Sequence, residues 1–228
     1  MKTLFITGID TNVGKSYATG ILARTLQEYG INTITQKMIQ TGNTGYSEDI
    51  NLHRSLMLNP HADEPLSTVA PSIYAYPASP HLAAKMEQRP VDLTTIDEKT
   101  RLLASRYDLV LLEGAGGLMV PIDDQGLTTA DFIAARHYPT VVVTSGKLGS
   151  ISHTLLTLEV LRSRGIDVPL MIYNRYPATD SLIEDETRSY LAAHLARHSP
   201  ATTLIEMPAV EISKPCTLDL PIGWIRQA

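Results

Sequence analysis

The chain has 228 residues, 43% of them hydrophobic, which is enough to bury a full core, and α/β chains of this size commonly fold as one domain. Its formal net charge of −5 removes the electrostatic basis for tight, nonspecific binding to nucleic acid. The one cysteine, Cys216, excludes an intrachain disulfide and a cysteine-rich metal site and points to a reducing compartment. The stretch before the first glycine loop is too short for a signal-peptide core, and no run reaches 18 uninterrupted apolar residues, so a soluble, cytoplasmic protein without membrane contact is expected.

Apolar runs of strand length alternate with helix-period stretches. In chain order the pattern predicts a strand over 3–7, a helix over 16–29, a strand over 32–37 and helices over 48–57, 80–87 and 95–106. Strands follow over 108–113 and 140–145, then a helix over 150–164, a strand over 168–173, a helix over 181–197 and a strand over 202–206. The segment 58–79, rich in Pro, Ser and Ala, reads as a surface excursion within the domain. No repeat or linker divides the chain, so residues 1–228 are expected to form a single α/β domain with a mostly parallel central sheet flanked by helices.

The first strand runs into Gly8-Ile9-Asp10-Thr11-Asn12-Val13-Gly14-Lys15-Ser16, and the first helix follows at once. That order makes a phosphate cradle. Gly14 lets the backbone approach an anion, the next N–H groups lie where the helix dipole favours negative charge, and Lys15 and Ser16 supply a cation and a hydroxyl ligand for Mg²⁺. Five residues separate the two glycines where the strict P-loop has four. The plainer alternative is a helix start capped by Ser16 or Asn12, but a lysine in the first turn opposes the dipole. A nucleoside triphosphate is the expected ligand and a P-loop NTPase-like fold the expected scaffold.

Open parallel sheets bind ligands beyond the carboxyl ends of their strands. The residues there are Lys37 followed by Gln40-Thr41-Gly42, then Glu113-Gly114-Ala115-Gly116-Gly117, Gly146-Lys147-Leu148-Gly149-Ser150, and Asn174. Lys37 is either a solvated strand-end lysine or a second cation beside the phosphates. Glu113 follows a run apolar enough to be buried on both faces, where a carboxylate needs a cation such as Mg²⁺. The glycines of 114–117 could make only a turn, yet four small residues after a buried acid also leave room for a substrate. Asp49, beside Ser47 and Glu48, either caps helix 48–57 or binds metal.

Taken together, the glycine loop, Lys37-x-x-Gln40-Thr41-Gly42, Asp49, Pro77-x-Ser79-Pro80-His81-Leu82-Ala83-Ala84, Glu113-Gly114-Ala115-Gly116-Gly117, Lys147-Leu148-Gly149-x-Ile151-x-His153 and Asn174-Arg175 closely resemble the dethiobiotin synthetase family, in order over residues 3–175. The resemblance implies an ATP-dependent ligase of biotin synthesis that closes a cyclic urea on 7,8-diaminopelargonate with CO₂. It implies Lys15, Lys37 and Thr11 as catalytic residues, nucleotide contacts from residues 12–17 (Asn12, Val13, Gly14, Lys15, Ser16, Tyr17), Asn174 and Pro208, and Mg²⁺ held by Ser16, Asp49 and Glu113. For the substrate it implies Thr41, Ser79 and Gly116 at the reacting end. At the alkyl carboxylate it implies Lys147, Leu148, Ser150, Ser152 and Tyr190, serving the neighbouring subunit's site in a homodimer; the free N–H groups of Ser150, Ile151 and Ser152 suit an anion.

Asn12, Met38 and Ser152 depart from the family's usual glutamate, proline and asparagine. A paralogue acting on a related amine is one alternative. A partition-type regulatory ATPase is another, although its loop carries a lysine where this chain has Asp10. A corrinoid amide synthetase needs a glutaminase cysteine, and Cys216 stands too near the end of this sequence for such a domain to follow.

Overall fold

A computed structural model describes residues 2–58, 61–178, 180–214 and 216–221. In chain order they form β1 (Thr3–Gly8), α1 (Lys15–Glu28), β2 (Thr33–Lys37), β3 (Gln40–Thr41), α2 (Glu48–Leu56), α3 (Leu66–Val69), β4 (Ile73–Tyr74), α4 (Pro80–Met86), α5 (Leu93–Arg106), β5 (Leu109–Gly117), α6 (Thr129–Arg136), β6 (Thr140–Ser145), α7 (Ser150–Ser163), β7 (Leu170–Asn174), α8 (Ser181–His198) and β8 (Thr203–Met207). Six strands pair in parallel in the order β2-β5-β1-β6-β7-β8. This is the predicted α/β architecture.

Alternation along the strands divides the core into two layers. Leu4 and Ile6 of β1 face a cluster with Leu22 and Leu26 of α1, while Phe5 between them faces Phe132 and Ile133 of α6 and Leu161 of α7. With both faces covered, Leu109 to Leu112 of β5 are fully buried. Register then aligns the strand ends: Lys37 of β2 and Ile6 of β1 both lie beside Glu113 of β5, and Asn174 of β7 lies between Ser145 of β6 and Met207 of β8. One rim of the sheet thus carries the polar residues. Among the described residues no helix is long and apolar enough to cross a membrane.

The structure differs from the sequence expectation in three places. Gly114 to Gly117 do not form a turn but continue β5, with Gly8 paired to Gly117 after a register shift. Gly114 is needed for space, since a Cβ there would lie 2.9 Å from the Phe5 ring. Segment 58–79 is more than a surface excursion: Val69, Ala70 and Tyr74 are buried, and β4 pairs with β3 through Gln40–Ile73 and Thr41–Tyr74. The third difference is α6, an added helix. Its capping box joins Thr128 and Asp131, and its apolar side packs on Phe5.

Candidate active site

The site is built outward from the start of α1. Gly14 caps this helix in the left-handed region (φ 96°) without a side-chain capping bond, so the first-turn N–H groups face outward. A Cβ there would meet Asn174 Nδ2 at 2.4 Å, so the position has no room for a side chain. Lys15 is buried to 7% exposure and its Nζ donates to the Asp10 carbonyl at 2.9 Å. Burial, then the charge of Lys37, lowers the Lys15 ammonium to about 8.

Beside it lies a charged corner. Ser16 Oγ lies 2.8 Å from both Asp49 Oδ1 and Glu113 Oε1, with a single hydroxyl hydrogen to donate to one or the other. Lys37 Nζ stands 2.5 Å from Asp49 Oδ2, 2.7 Å from Glu113 Oε1 and 3.0 Å from the Gly114 carbonyl. Burial works against the Lys37 charge, but Glu113 and Asp49 outweigh it and hold the ammonium above the ordinary lysine value. For Glu113, fully buried, burial is likewise overcome, by Lys37 and then His53, and the carboxyl falls well below the usual range. Lys37 is therefore no solvated strand-end lysine. Nor does Asp49 cap α2: that role belongs to Ser47, whose side chain accepts from the Ile50 N–H.

These groups open on a cleft of about 770 Å³, within the range of small-molecule sites. Of the anticipated residues, Thr11, Asn12, Gly14, Lys15, Ser16, Tyr17, Lys37, Thr41, Asp49, Glu113, Gly116, Asn174 and Pro208 line it. Val13 sits behind the loop, offering its carbonyl to Asn174 Nδ2 at 3.0 Å. That nitrogen also donates to the Tyr176 carbonyl, and Asn174 Oδ1 accepts from the Tyr176 N–H. Both amide hydrogens are thus used within the chain, which leaves only the oxygen's second lone pair for a base.

The remaining anticipated residues lie apart from this cleft. Ser79 Oγ bonds His81 Nδ1 at 3.0 Å. Leu148 is 81% exposed, Tyr190 46%, and Lys147 and Ser152 are also exposed. Ser150 corrects the expectation of three free N–H groups at the start of α7. Its N–H donates to the Lys147 carbonyl at 2.9 Å and its buried side chain bonds Ser145, because the chain turns there before the helix begins. Residues the sequence did not single out also line the cleft, among them Glu48, Leu52, Tyr176 and Glu211. His53, which reaches Glu113 from α2, was signalled only by its place in the buried stripe Ile50, His53, Leu56.

A parallel sheet whose first strand feeds a glycine loop and an anion-facing helix start defines a P-loop nucleotide-binding protein. A family model described as an AAA domain matches residues 2–215. Solved structures of a ParA family ATPase from Chlorobium tepidum (TM-score 0.51, 16% identity, 92% of this chain and 85% of that one) and of FlhF complexed with GMPPNP and Mg²⁺ (0.54, 13%, 99% and 73%) share the fold alone. Sequence relatives go further. The ATP-dependent dethiobiotin synthetase BioD 2 of Pasteurella multocida is 47% identical over 212 residues, covering 92% of this chain and 99% of that protein. Its namesake in Haemophilus influenzae is 52% identical over 183 residues (80% and 95%), and the BioD of Chlorobaculum tepidum 48% over 198 (86% and 82%). The chain belongs to the dethiobiotin synthetase family.

Proposed function

We propose that this chain carries out the reaction for which its relatives are named, ATP-dependent formation of dethiobiotin from 7,8-diaminopelargonate and CO₂. One amine captures CO₂ as a carbamate, whose oxygen attacks the γ-phosphorus and releases ADP. The second amine then attacks the carbamoyl carbon of the mixed anhydride and expels phosphate. No side-chain nucleophile is needed. The requirement is to align two mutually repelling anions, carbamate and triphosphate, and to neutralise the charge as it shifts.

The observation that carries this reading is Lys37: a buried ammonium in the cleft that the phosphate loop and Thr41 also line. Lys15 and the N–H groups of residues 12–16 bind the phosphates, Lys37 joins γ-phosphate to carbamate, and Thr41 and Gly116 hold the reacting amines. Ser16, Asp49 and Glu113 fit a divalent ion, since they bring three hard oxygens together with excess negative charge that here is met by Lys37. When bound, Mg²⁺ supplies further neutralisation of the triphosphate. Asn174 meets the base only as an acceptor, which suits an exocyclic amine, with Pro208 alongside.

Exposed Leu148, Leu156, Leu182 and Tyr190 lie on or beside α7 and α8, which pack together, and such exposed apolar groups suit contact with a second copy. In such a homodimer Lys147, Leu148, Ser152 and Tyr190 reach the partner's substrate carboxylate, and Ser150 supports the turn. Purified protein given the diamine, labelled bicarbonate, ATP and Mg²⁺ should yield labelled dethiobiotin with one phosphate per product. Phosphate release indifferent to the diamine would overturn the assignment. For the shared site, heterodimers of a Lys15→Ala subunit with a Tyr190→Ala subunit should regain one competent site of two, and no recovery in verified heterodimers rejects sharing.

A further inference from the structure

Helix α2 touches the charged corner twice, one turn apart. Asp49 does so directly. His53, four residues on, is fully buried, and its Nε2 lies 2.7 Å from Glu113 Oε2. Since the carboxylate can only accept, Nε2 is the donor. The two oxygens of Glu113 are thereby divided: Oε2 is taken by His53, and Oε1 faces Ser16 at 2.8 Å and Lys37 at 2.7 Å.

A histidine kept for packing alone makes poor sense here. Its neighbours in the buried stripe of α2 are Ile50 and Leu56, and an aliphatic residue would fill the position without polar atoms. The ring instead leaves Nδ1 buried with no hydrogen-bond partner among the described residues, an unfavourable arrangement accepted along with the Nε2 contact. Removing the donor would strand Oε2 as half of a buried anion, and the carboxylate would turn toward Lys37 or Ser16 to compensate.

We infer that His53 is a positioning residue that pins Glu113 by Oε2, so that Oε1, Ser16 Oγ and Asp49 Oδ1 present one preformed set of oxygens to a divalent cation. Hydrogen-bond partners behind metal ligands are worth about 10–100-fold in metal affinity. The inference rests on the reading of Ser16, Asp49 and Glu113 as the cation corner.

The test is calorimetry of a non-hydrolysable ATP analogue with and without Mg²⁺, on wild type, His53→Leu, His53→Gln and His53→Asn. A wild type whose nucleotide affinity ignores Mg²⁺ overturns the cation reading itself. Given a Mg²⁺-dependent wild type, His53→Leu should raise the Mg²⁺ concentration for half-maximal effect about tenfold or more, with Mg²⁺-free binding within about twofold. Glutamine can place a donor near the Nε2 position and should recover most of the loss. Asparagine is too short to do so and should behave like leucine, which keeps the test decisive if the leucine variant does not fold. His53→Asn with wild-type Mg²⁺ dependence, or equal losses with and without Mg²⁺, overturns the positioning role.

Discussion

Helices α1 and α7 begin alike: each spans 14 residues, is capped by a glycine in the left-handed region (φ 96° at Gly14, 95° at Gly149), and has neither a side-chain capping bond nor an acidic residue in its first turn. Their surroundings differ completely. The start of α1 looks into the cleft with Lys15 buried beside it, whereas the start of α7 carries an exposed Lys147 and Leu148, and no residue of that loop lines the cleft. Aligned N–H groups are a general property of helix starts; on the proposed reading, what makes one of them a triphosphate site is the set of side chains the neighbouring strands deliver. β2 and β5 bring Lys37 and Glu113 to α1, while the strand preceding α7 brings only the hydroxyls of Thr144 and Ser145, bonded to Thr154 and Ser150 of the helix itself.

The largest difference should appear when the two lysines are compared. If Lys15 binds the transferring phosphoryl group as proposed, Lys15→Ala should cost about 10²–10³-fold in single-turnover phosphate release. Lys147→Ala should leave that chemical step within a few-fold and raise the KM for the diamine instead. Equal losses in kcat would collapse the distinction between the two helix starts. Next in size is Glu113→Gln, which keeps the side-chain length but removes its charge. Binding of a fluorescent ATP analogue should need about tenfold more Mg²⁺ or beyond, with little change when Mg²⁺ is omitted; uniform weakening would make Glu113 structural.

The capping glycines offer a test by stability. An alanine at Gly149 meets no atom within 4 Å, so it should cost only the left-handed backbone strain, about 1–2 kcal/mol. At Gly14 the same strain is joined by the 2.4 Å approach to Asn174 Nδ2, which bridges Val13 and Tyr176. Gly14→Ala should therefore lose more in urea denaturation and also lose nucleotide affinity. Matching midpoints for the two variants would show that Asn174 yields freely.

Much of this corner was legible in the sequence because parallel strands point their carboxyl ends the same way, so Lys37, Glu113 and Asn174 could be assembled from strand ends alone. The parts that were not legible share a physical cause. β3 and β4, which set Thr41, are two residues each and α3 four, all too short to show periodicity. Gly114 to Gly117 carry a turn signal but serve as strand, with Gly114 leaving space for Phe5. His53 acquires meaning only from a partner 60 residues away. The start of α7 reads as a free anion site until the Lys147–Ser150 turn is seen to consume one of its donors.

The smallest expected effect separates the helix starts by pH. Lys15, at about 8 when folded against 10.5 for an ordinary lysine, loses its proton as pH passes 8. Nucleotide affinity of the free protein should therefore fall above about pH 8, as followed by calorimetry of an ATP analogue, which avoids titration of the diamine. Lys15→Arg keeps its charge and should flatten that fall in whatever binding it retains. Stability moves the opposite way. Below pH 8 both folded and unfolded chains carry the proton, and the unfavourable burial of the ammonium is fully present. Between about 8 and 10 the unfolded chain binds more protons than the folded one, so Lys15 makes stability rise with pH. Lys37, raised by Glu113 and Asp49 against the effect of its burial, loses its contribution only above the ordinary lysine value, outside that window. Tyr107 and Tyr173, both pushed up to about 12 chiefly by burial, reverse the trend above about 10, where the unfolded chain has released protons that the folded one keeps. Urea midpoints at pH 7, 9 and 10 should rise for the wild type relative to Lys15→Met, which cannot titrate. Parallel profiles for the two proteins would mean that Lys15 holds its proton throughout, and the buried cation would then separate the two helix starts by location rather than by charge.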